Sequence, residues 1–244
     1  ADLCRVSKRH DREPAAHRLN HGFRIVLNAG SSAENANQTS QQSVPPGAAQ
    51  APVGSEIAWV SINDPGSRGQ EGFSGQMSKY ETTNAQYCQF LNVALASGDI
   101  SISGSRVVGS NGSNAGSDYA GETYYNCYGE GWDSDGARNG GAARIHYAGG
   151  TFTVDNGFEN HPVTHVTWYG AKAFCNYYGY RLPTEREWRS VADYDGSYVY
   201  GCGMTMENSK ANYEGSAHPN GTVEVGSLGS YGYGLCDMAG NVVE

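Results

Sequence analysis

Apolar positions in this chain recur with two periods, and short polar breaks separate the runs. Tyr87, Phe90, Leu91 and Leu95 fall on one face of a helix predicted from about Asn84 to Ala96, with Thr83 as its cap. Ala171, Phe174 and Cys175 share one side of a second helix over Gly170 to Tyr178, which Gly179 stops. Leu182 and Pro183 must then be extended, because a residue before proline avoids the helical region. Thr184 caps a third segment, Glu187 completes a capping box, and Trp188, Val191 and Ala192 fall on one helical face. The whole stretch from His161 to Ala192 reads as a packing unit of the core.

Period-two patterning marks the strands. Ile57, Trp59, Val60 and Ile62 alternate, and Asn63-Asp64-Pro65-Gly66 follows as a turn. Arg144 to Tyr147 and Thr151 to Val154 predict a hairpin around Ala148-Gly149-Gly150. Near the start, a strand and a polar loop through Pro14 lead to a last strand from Gly22 to Leu27. Residues 28–54 carry no aromatic residue and one charge, Glu34, so they bury too little to offset their ordering entropy and read as a flexible linker. Residues 97–160 are rich in Gly, Ser and Tyr and read as functional surface or an insertion. Within them Asp133-Ser134-Asp135-Gly136 reads as an Asp-Gly turn, because the later glutamate of a calcium loop is missing.

Composition narrows the class. The 244 residues include 34 Gly and 17 Tyr, with only 17% charged. That suits a loop-rich fold more than a helical bundle. A net charge of −9 argues against nucleic acid as a partner. No apolar run approaches the length of a membrane span. Residue 1 is Ala and no signal-like segment follows, so the chain is expected to begin inside a longer product or after processing. Arg5, Lys8, Arg9, Arg12, Arg18 and Arg24 make the first 27 residues basic; pairing with carboxylates inside the fold is their expected role. Six dispersed cysteines, Cys4, Cys88, Cys127, Cys175, Cys202 and Cys236, form no CxxC pair. They lean toward an oxidising compartment, while Cys88 and Cys175, each on a helix, also suit buried free thiols. Asn37-Gln38-Thr39 fits a glycosylation acceptor. Near the end, Asn241 and Glu244 bracket the Val242 carbonyl, a set that suits part of an oxygen-rich Ca²⁺ site or a turn bonded to its own backbone.

Several ordered motifs carry a family resemblance: Lys79 to Tyr87, His161-Pro162-Val163 through Trp168-Tyr169, Arg181 to Trp188, Ala211-Asn212, Val225-Gly226-Ser227, and Gly234 to Asn241. Together they resemble the formylglycine-generating enzyme, or sulfatase-modifying factor, domain. The resemblance implies a loop-rich α+β fold of C-type-lectin-like architecture, with two short helices packed on small antiparallel sheets. Such domains close on a Gly-Phe-Arg strand, which here stands at the other end as Gly22-Phe23-Arg24. The expected layout is therefore residues 1–27 as the tail of an upstream copy, 28–54 as linker, and 55–244 as a domain lacking its last segment. A single circularly permuted domain is the alternative.

Family enzymes oxidise a substrate cysteine to formylglycine with molecular oxygen, using copper on two thiolates, ligands that suit Cu(I). Carried over, the second such cysteine falls on Ala1, with Cys4 three positions off. Asn20 matches an asparagine lining the family's active site, and Ile25 stands where the closing strand has a cysteine. Val243 replaces the usual Trp of the Asn-Val-Trp-Glu motif. The resemblance implies calcium ligands at Asn241, the Val242 carbonyl and Glu244, and half of a second site at Asn212 and the Tyr213 carbonyl. Two functions follow as expectations. One is a non-catalytic binding module, stabilised by Ca²⁺, on an exported, extracellular, cell-surface or periplasmic protein, which displays the 97–160 region to a protein or glycan ligand. The other is a formylglycine-generating or related oxidase that needs copper and acts on a protein cysteine or thiol.

Overall fold

The computed structural model describes residues 21–27, 56–67, 71–111, 119–127, 143–213 and 221–244. Among them lie three helices and eleven short strands in small antiparallel sheets, an α+β arrangement. The sheet that organises the rest has four strands: β1 (Val26–Leu27), β2 (Trp59–Asn63), β3 (Ser74–Ser78) and β9 (Tyr180–Arg181). Their order is β2-β3-β1-β9, with Val26 opposite both Met77 and Arg181. A second sheet joins β4 (Ile100–Ser103), β5 (Arg106–Gly109) and β6 (Thr123–Asn126). Strands β7 (Ile145–Ala148) and β8 (Thr151–Val154) form a hairpin, as do β10 (Ser230–Tyr231) and β11 (Leu235–Cys236).

Local chemistry explains the helices. Helix α1 (Asn84–Ala96) starts with a full capping box: the Gln86 N–H donates to Thr83 Oγ1, and the Thr83 N–H donates back to the Gln86 side chain. Helix α2 (Trp168–Tyr178) begins two residues earlier than the pattern predicted, because Thr167 accepts from the Gly170 N–H and so caps it. It ends where expected, on Gly179 in the left-handed region at φ 75°. Helix α3 (Glu185–Asp193) carries the predicted capping box of Thr184 and Glu187. Arg181 reinforces it with two hydrogen bonds of 2.6 and 2.7 Å to the Glu187 carboxylate.

The central sheet has apolar material on both faces. Phe23, Ile25 and Leu27 point into a large aromatic cluster with Tyr87, Phe90, Tyr124, Tyr125 and Phe174. Val26 points the other way, toward Ile62, Phe73, Met77, Val191, Leu235 and Met238. That alternation is what a strand buried on both faces requires.

Residues 21–27 therefore lie inside the body that holds α3, not in a separate upstream body as the layout 1–27, 28–54, 55–244 expected. The physical reason is hydrogen bonding as well as burial. The Thr82 N–H donates to the Phe23 carbonyl, the Ser78 N–H to that of Ile25, and the Gly22 N–H to that of Val243. Residues 1–20 and 28–55, including the expected linker and Asn37, are outside the described residues.

The 97–160 region also differs from its reading as surface. Ile100, Val107, Tyr124, Tyr125, Cys127, Ile145 and Phe152 are all core. Its β7–β8 hairpin forms in the predicted place, with Gly149 and Gly150 both at positive φ in the turn.

Candidate functional site

The groups singled out near the end of the chain lie on and around the loop that follows β11. Asp237 and Asn241 both sit at positive φ, at 57° and 63°, in a tight loop after β11. Gly240 permits that loop, since a Cβ there would stand 2.1 Å from the Asn212 carbonyl oxygen. The Asn241 N–H donates to the same carbonyl at 2.7 Å. Asn212, 29 positions away in sequence, donates through Nδ2 to Asn241 Oδ1 at 3.3 Å and to the Gly221 carbonyl at 2.8 Å. The two asparagines predicted to belong to separate calcium sites thus meet.

Each polar atom of Asn241 is engaged by protein. Its Oδ1 accepts from the Val223 N–H at 2.9 Å, and its Nδ2 donates to Glu81 Oε2 at 2.7 Å. The Val242 N–H donates to Glu81 Oε1 at 3.2 Å. Glu244 faces elsewhere: its carboxylate accepts from Arg24 Nε at 3.1 Å and from Trp188 Nε1 at 2.6 Å. Arg24 is fully buried, and its remaining N–H groups donate to the carbonyls of Ser78, Lys79 and Cys236. Asp237 accepts from the Gly226 N–H at 2.6 Å. Tyr213 donates its hydroxyl to Asn208 at 2.8 Å.

The electrostatics follow from burial. Desolvation opposes the charge on Arg24, but Glu244 and Glu81 outweigh it and hold the guanidinium above its ordinary pKa. Burial pushes the Glu81 carboxyl well above the usual carboxylate range, and Asp237 and Glu244 add to the shift. Burial raises Asp237 as well.

At Asn241 and Glu244 the side-chain oxygens that calcium would use are engaged by protein. The amide oxygen of Asn241 is spent on two N–H donors, and a cation at Glu244 would have to displace Arg24 and Trp188. Among the described residues no group of three or more His, Cys, Asp or Glu is arranged to hold a metal ion. Cys4, Asn20 and Ala1 lie outside the described residues. The five described cysteines are all buried, and Cys88, Cys127, Cys175 and Cys236 are free thiols. Burial pushes Cys88 up to about 12 and Cys127 up to about 11, and it raises Cys175 and Cys236 too. Thiols in such surroundings are poor nucleophiles and poor copper ligands.

The expectation that the basic arginines pair with carboxylates inside the fold holds for Arg24, which meets Glu244. Glu81 and Asp237 stood inside the family motifs with no role of their own. The usable signal for Arg24 was its place between Phe23 and Ile25: an arginine within an apolar strand must find buried acceptors.

The sulfatase-modifying factor enzyme 1-like domain model matches residues 32–244. A serine/threonine-protein kinase pkn1 from Chlamydia caviae is 41% identical over 104 residues, which cover 42% of this chain and 16% of that protein. A formylglycine-generating enzyme from Thermomonospora curvata is 35% identical over 98 residues, 35% of this chain and 32% of that protein. An inactive C-alpha-formylglycine-generating enzyme 2 from Bos taurus is 36% identical over 94 residues, 34% of this chain and 32% of that protein. The matched stretches therefore span a third or less of each relative. No solved structure matches the chain. No helix among the described residues is long and apolar enough to cross a membrane.

Proposed function

This chain belongs to the sulfatase-modifying factor enzyme 1-like family, and from that premise we propose that it works as a non-catalytic binding module of an exported or cell-surface protein. The observation that carries the reading is the state of its thiols. Copper chemistry of the family's kind needs two accessible thiolates; the carried-over position of the second is Ala1, and the described cysteines, none of them at that position, are buried, with Cys88 and Cys127 pushed up by burial. The relative named as inactive supports a binding role within this family. The share of the Chlamydia kinase covered by the match, 16%, supports a module within a larger protein.

In this proposal the module takes a protein or glycan ligand through the outward edges of the 97–160 region, and the lectin-like architecture is part of it. Trp168, 45% exposed, stands edge-on to Tyr119 and Tyr169 and adds an aromatic surface beside that region. The alternative reading, a formylglycine-generating or related oxidase, draws on the relatives that bear that name. A Cu(I) titration under anaerobic conditions, against a chromophoric chelator, separates the two. The binding module leaves the chelator's copper in place. Stoichiometric transfer of one Cu(I) to the chain, with oxygen consumption on a cysteine peptide, sinks it in favour of the oxidase.

A further inference from the structure

The segment Gly22–Leu27 occupies a slot with three walls. Strand β3 lies on one side and β9 on the other. The loop of Val242–Glu244 forms the end wall, where Val242 packs so tightly that a Cβ on Gly22 would stand 2.5 Å from its Cγ2. The floor holds a pocket shaped for one guanidinium. Glu244 takes Nε, and three main-chain carbonyls take the Nη hydrogens at 2.8 to 3.3 Å. Lysine could not serve, because an ammonium has three donors and no planar fork. Without its strand the slot presents the Glu244 carboxylate and three main-chain carbonyls with no donor of their own. The segment Gly22–Leu27 contains no cysteine, so no disulfide of its own ties it to the body.

We propose that the body formed by residues 56–244 carries a strand-binding site for an extended Gly-Phe-Arg segment. Its occupant is the chain's own segment 22–27, held without covalent attachment to the slot and exchangeable for the same segment of another copy. The recognition is that of strand addition: main-chain pairing supplies affinity, and side-chain pockets supply specificity. Phe23 fills one pocket, 5.4 Å from the Phe174 ring and 6.0 Å from that of Tyr87, and Arg24 fills the other. Metal plays no part, since the guanidinium is the pocket's cation.

A protease site inserted between Gly47 and Ala48 of the full chain tests this. After cleavage, the N-terminal piece is expected to co-elute with the body on gel filtration. A fluorescent peptide of residues 20–28 should then exchange into the body, with or without a calcium chelator. Its Arg24→Gln counterpart should compete roughly ten- to a hundredfold less well, the loss expected for charge-assisted bonds. A piece that leaves while the body keeps its near-ultraviolet circular dichroism overturns the proposal. So does a glutamine peptide that competes equally, or calcium that displaces the arginine peptide. Should the cleaved body precipitate, amide hydrogen exchange in the uncleaved Arg24→Gln chain decides. The Ser78 and Thr82 amides, which donate to Ile25 and Phe23, should exchange faster while the Tyr87 amide in α1 keeps its protection. Unchanged protection at Ser78 and Thr82, or equal loss at all three, overturns it.

Discussion

Arg24 and Glu244 stand 220 positions apart in the chain and meet at 3.1 Å, with side-chain exposures of 0% and 5%. The pair ties the strand β1 to the loop that follows β11. A buried pair adds little compared with apolar neighbours, but removing one partner strands the other, at a cost of about 3–5 kcal/mol. Here three main-chain carbonyls also accept from Arg24, so part of its charge stays compensated. Glu244→Gln is therefore expected at the lower end, ~3 kcal/mol by the same reasoning. A urea denaturation midpoint and slope give the value; a loss under about 1 kcal/mol would mean that the pair is dispensable.

Trp188 shares that carboxylate. The ring is half-buried against the cluster of Val26, Met77 and Leu235, and its Nε1 donates to Glu244 at 2.6 Å. Trp188→Phe keeps most of the ring and removes the donor. Its expected cost is ~1.5–3 kcal/mol, that of a hydrogen bond to a charged group. In the Glu244→Gln background the cost should shrink by about 1 kcal/mol, because neighbours sharing one group are not additive. A double-mutant cycle that comes out additive would show that the two contacts act separately.

These contacts also show what was legible in the chain. The caps of α1 and α3 could be read directly, because Thr83 with Gln86 and Thr184 with Glu187 act within four residues. The hairpin at Gly149-Gly150 could be read for the same reason. Strands β4 and β5 were not read, although Ile100, Ile102 and Val107 carry the period around Gly104. The serines of β4, Ser101 and Ser103, hid it. Membership of Gly22–Leu27 in this body was legible only as the alternative of a circularly permuted domain, because what decides it are partners more than 50 positions away: Ser78, Cys236 and Glu244. The partners of the Asn241 and Glu244 side chains were hidden for the same reason. Asn241 and Glu244 are neighbours in sequence, yet their side chains serve different partners, Val223 with Glu81 and Arg24 with Trp188.

The acidic cluster fixes a sign for pH dependence. Burial raises Glu81 well above its unfolded value of 4.5 and Asp237 above 3.8. A carboxyl whose folded pKa is raised holds its proton longer in the folded state. Its stabilising effect is full below the unfolded pKa and fades as pH rises through the folded one. Each such group lowers stability by up to about 1.4 kcal/mol per pH unit within its window. Glu187, paired with Arg181, has its pKa lowered and works the other way, losing its contribution as pH falls below about 4.5. Comparing unfolding free energy of the wild type with Glu81→Gln from pH 4.5 upward isolates the Glu81 share. The variant should show the shallower decline; parallel curves would mean that Glu81 ionises normally in the folded chain.

Gly170 sets two opposing effects against each other. It lies in the first turn of α2, where alanine would gain about 1 kcal/mol of helix propensity. A Cβ there, however, would stand 2.2 Å from the Tyr124 carbonyl oxygen and 2.5 Å from the Tyr87 hydroxyl. The first obstacle is backbone of β6, and that carbonyl already accepts from the Thr167 N–H at 3.1 Å, so it cannot swing away without breaking the entry to α2. Overpacking of this kind costs about 1–3 kcal/mol, and contact with backbone places it at the upper end. The packing effect therefore wins, and Gly170→Ala should be net destabilising by ~2 kcal/mol, a fall in Tm of roughly 4–8 °C for a domain of this size. Differential scanning fluorimetry gives the sign directly. A raised Tm would show that α2 can shift away from β6, and that the close approach of helix and strand at Gly170 is not what fixes the packing of the aromatic core.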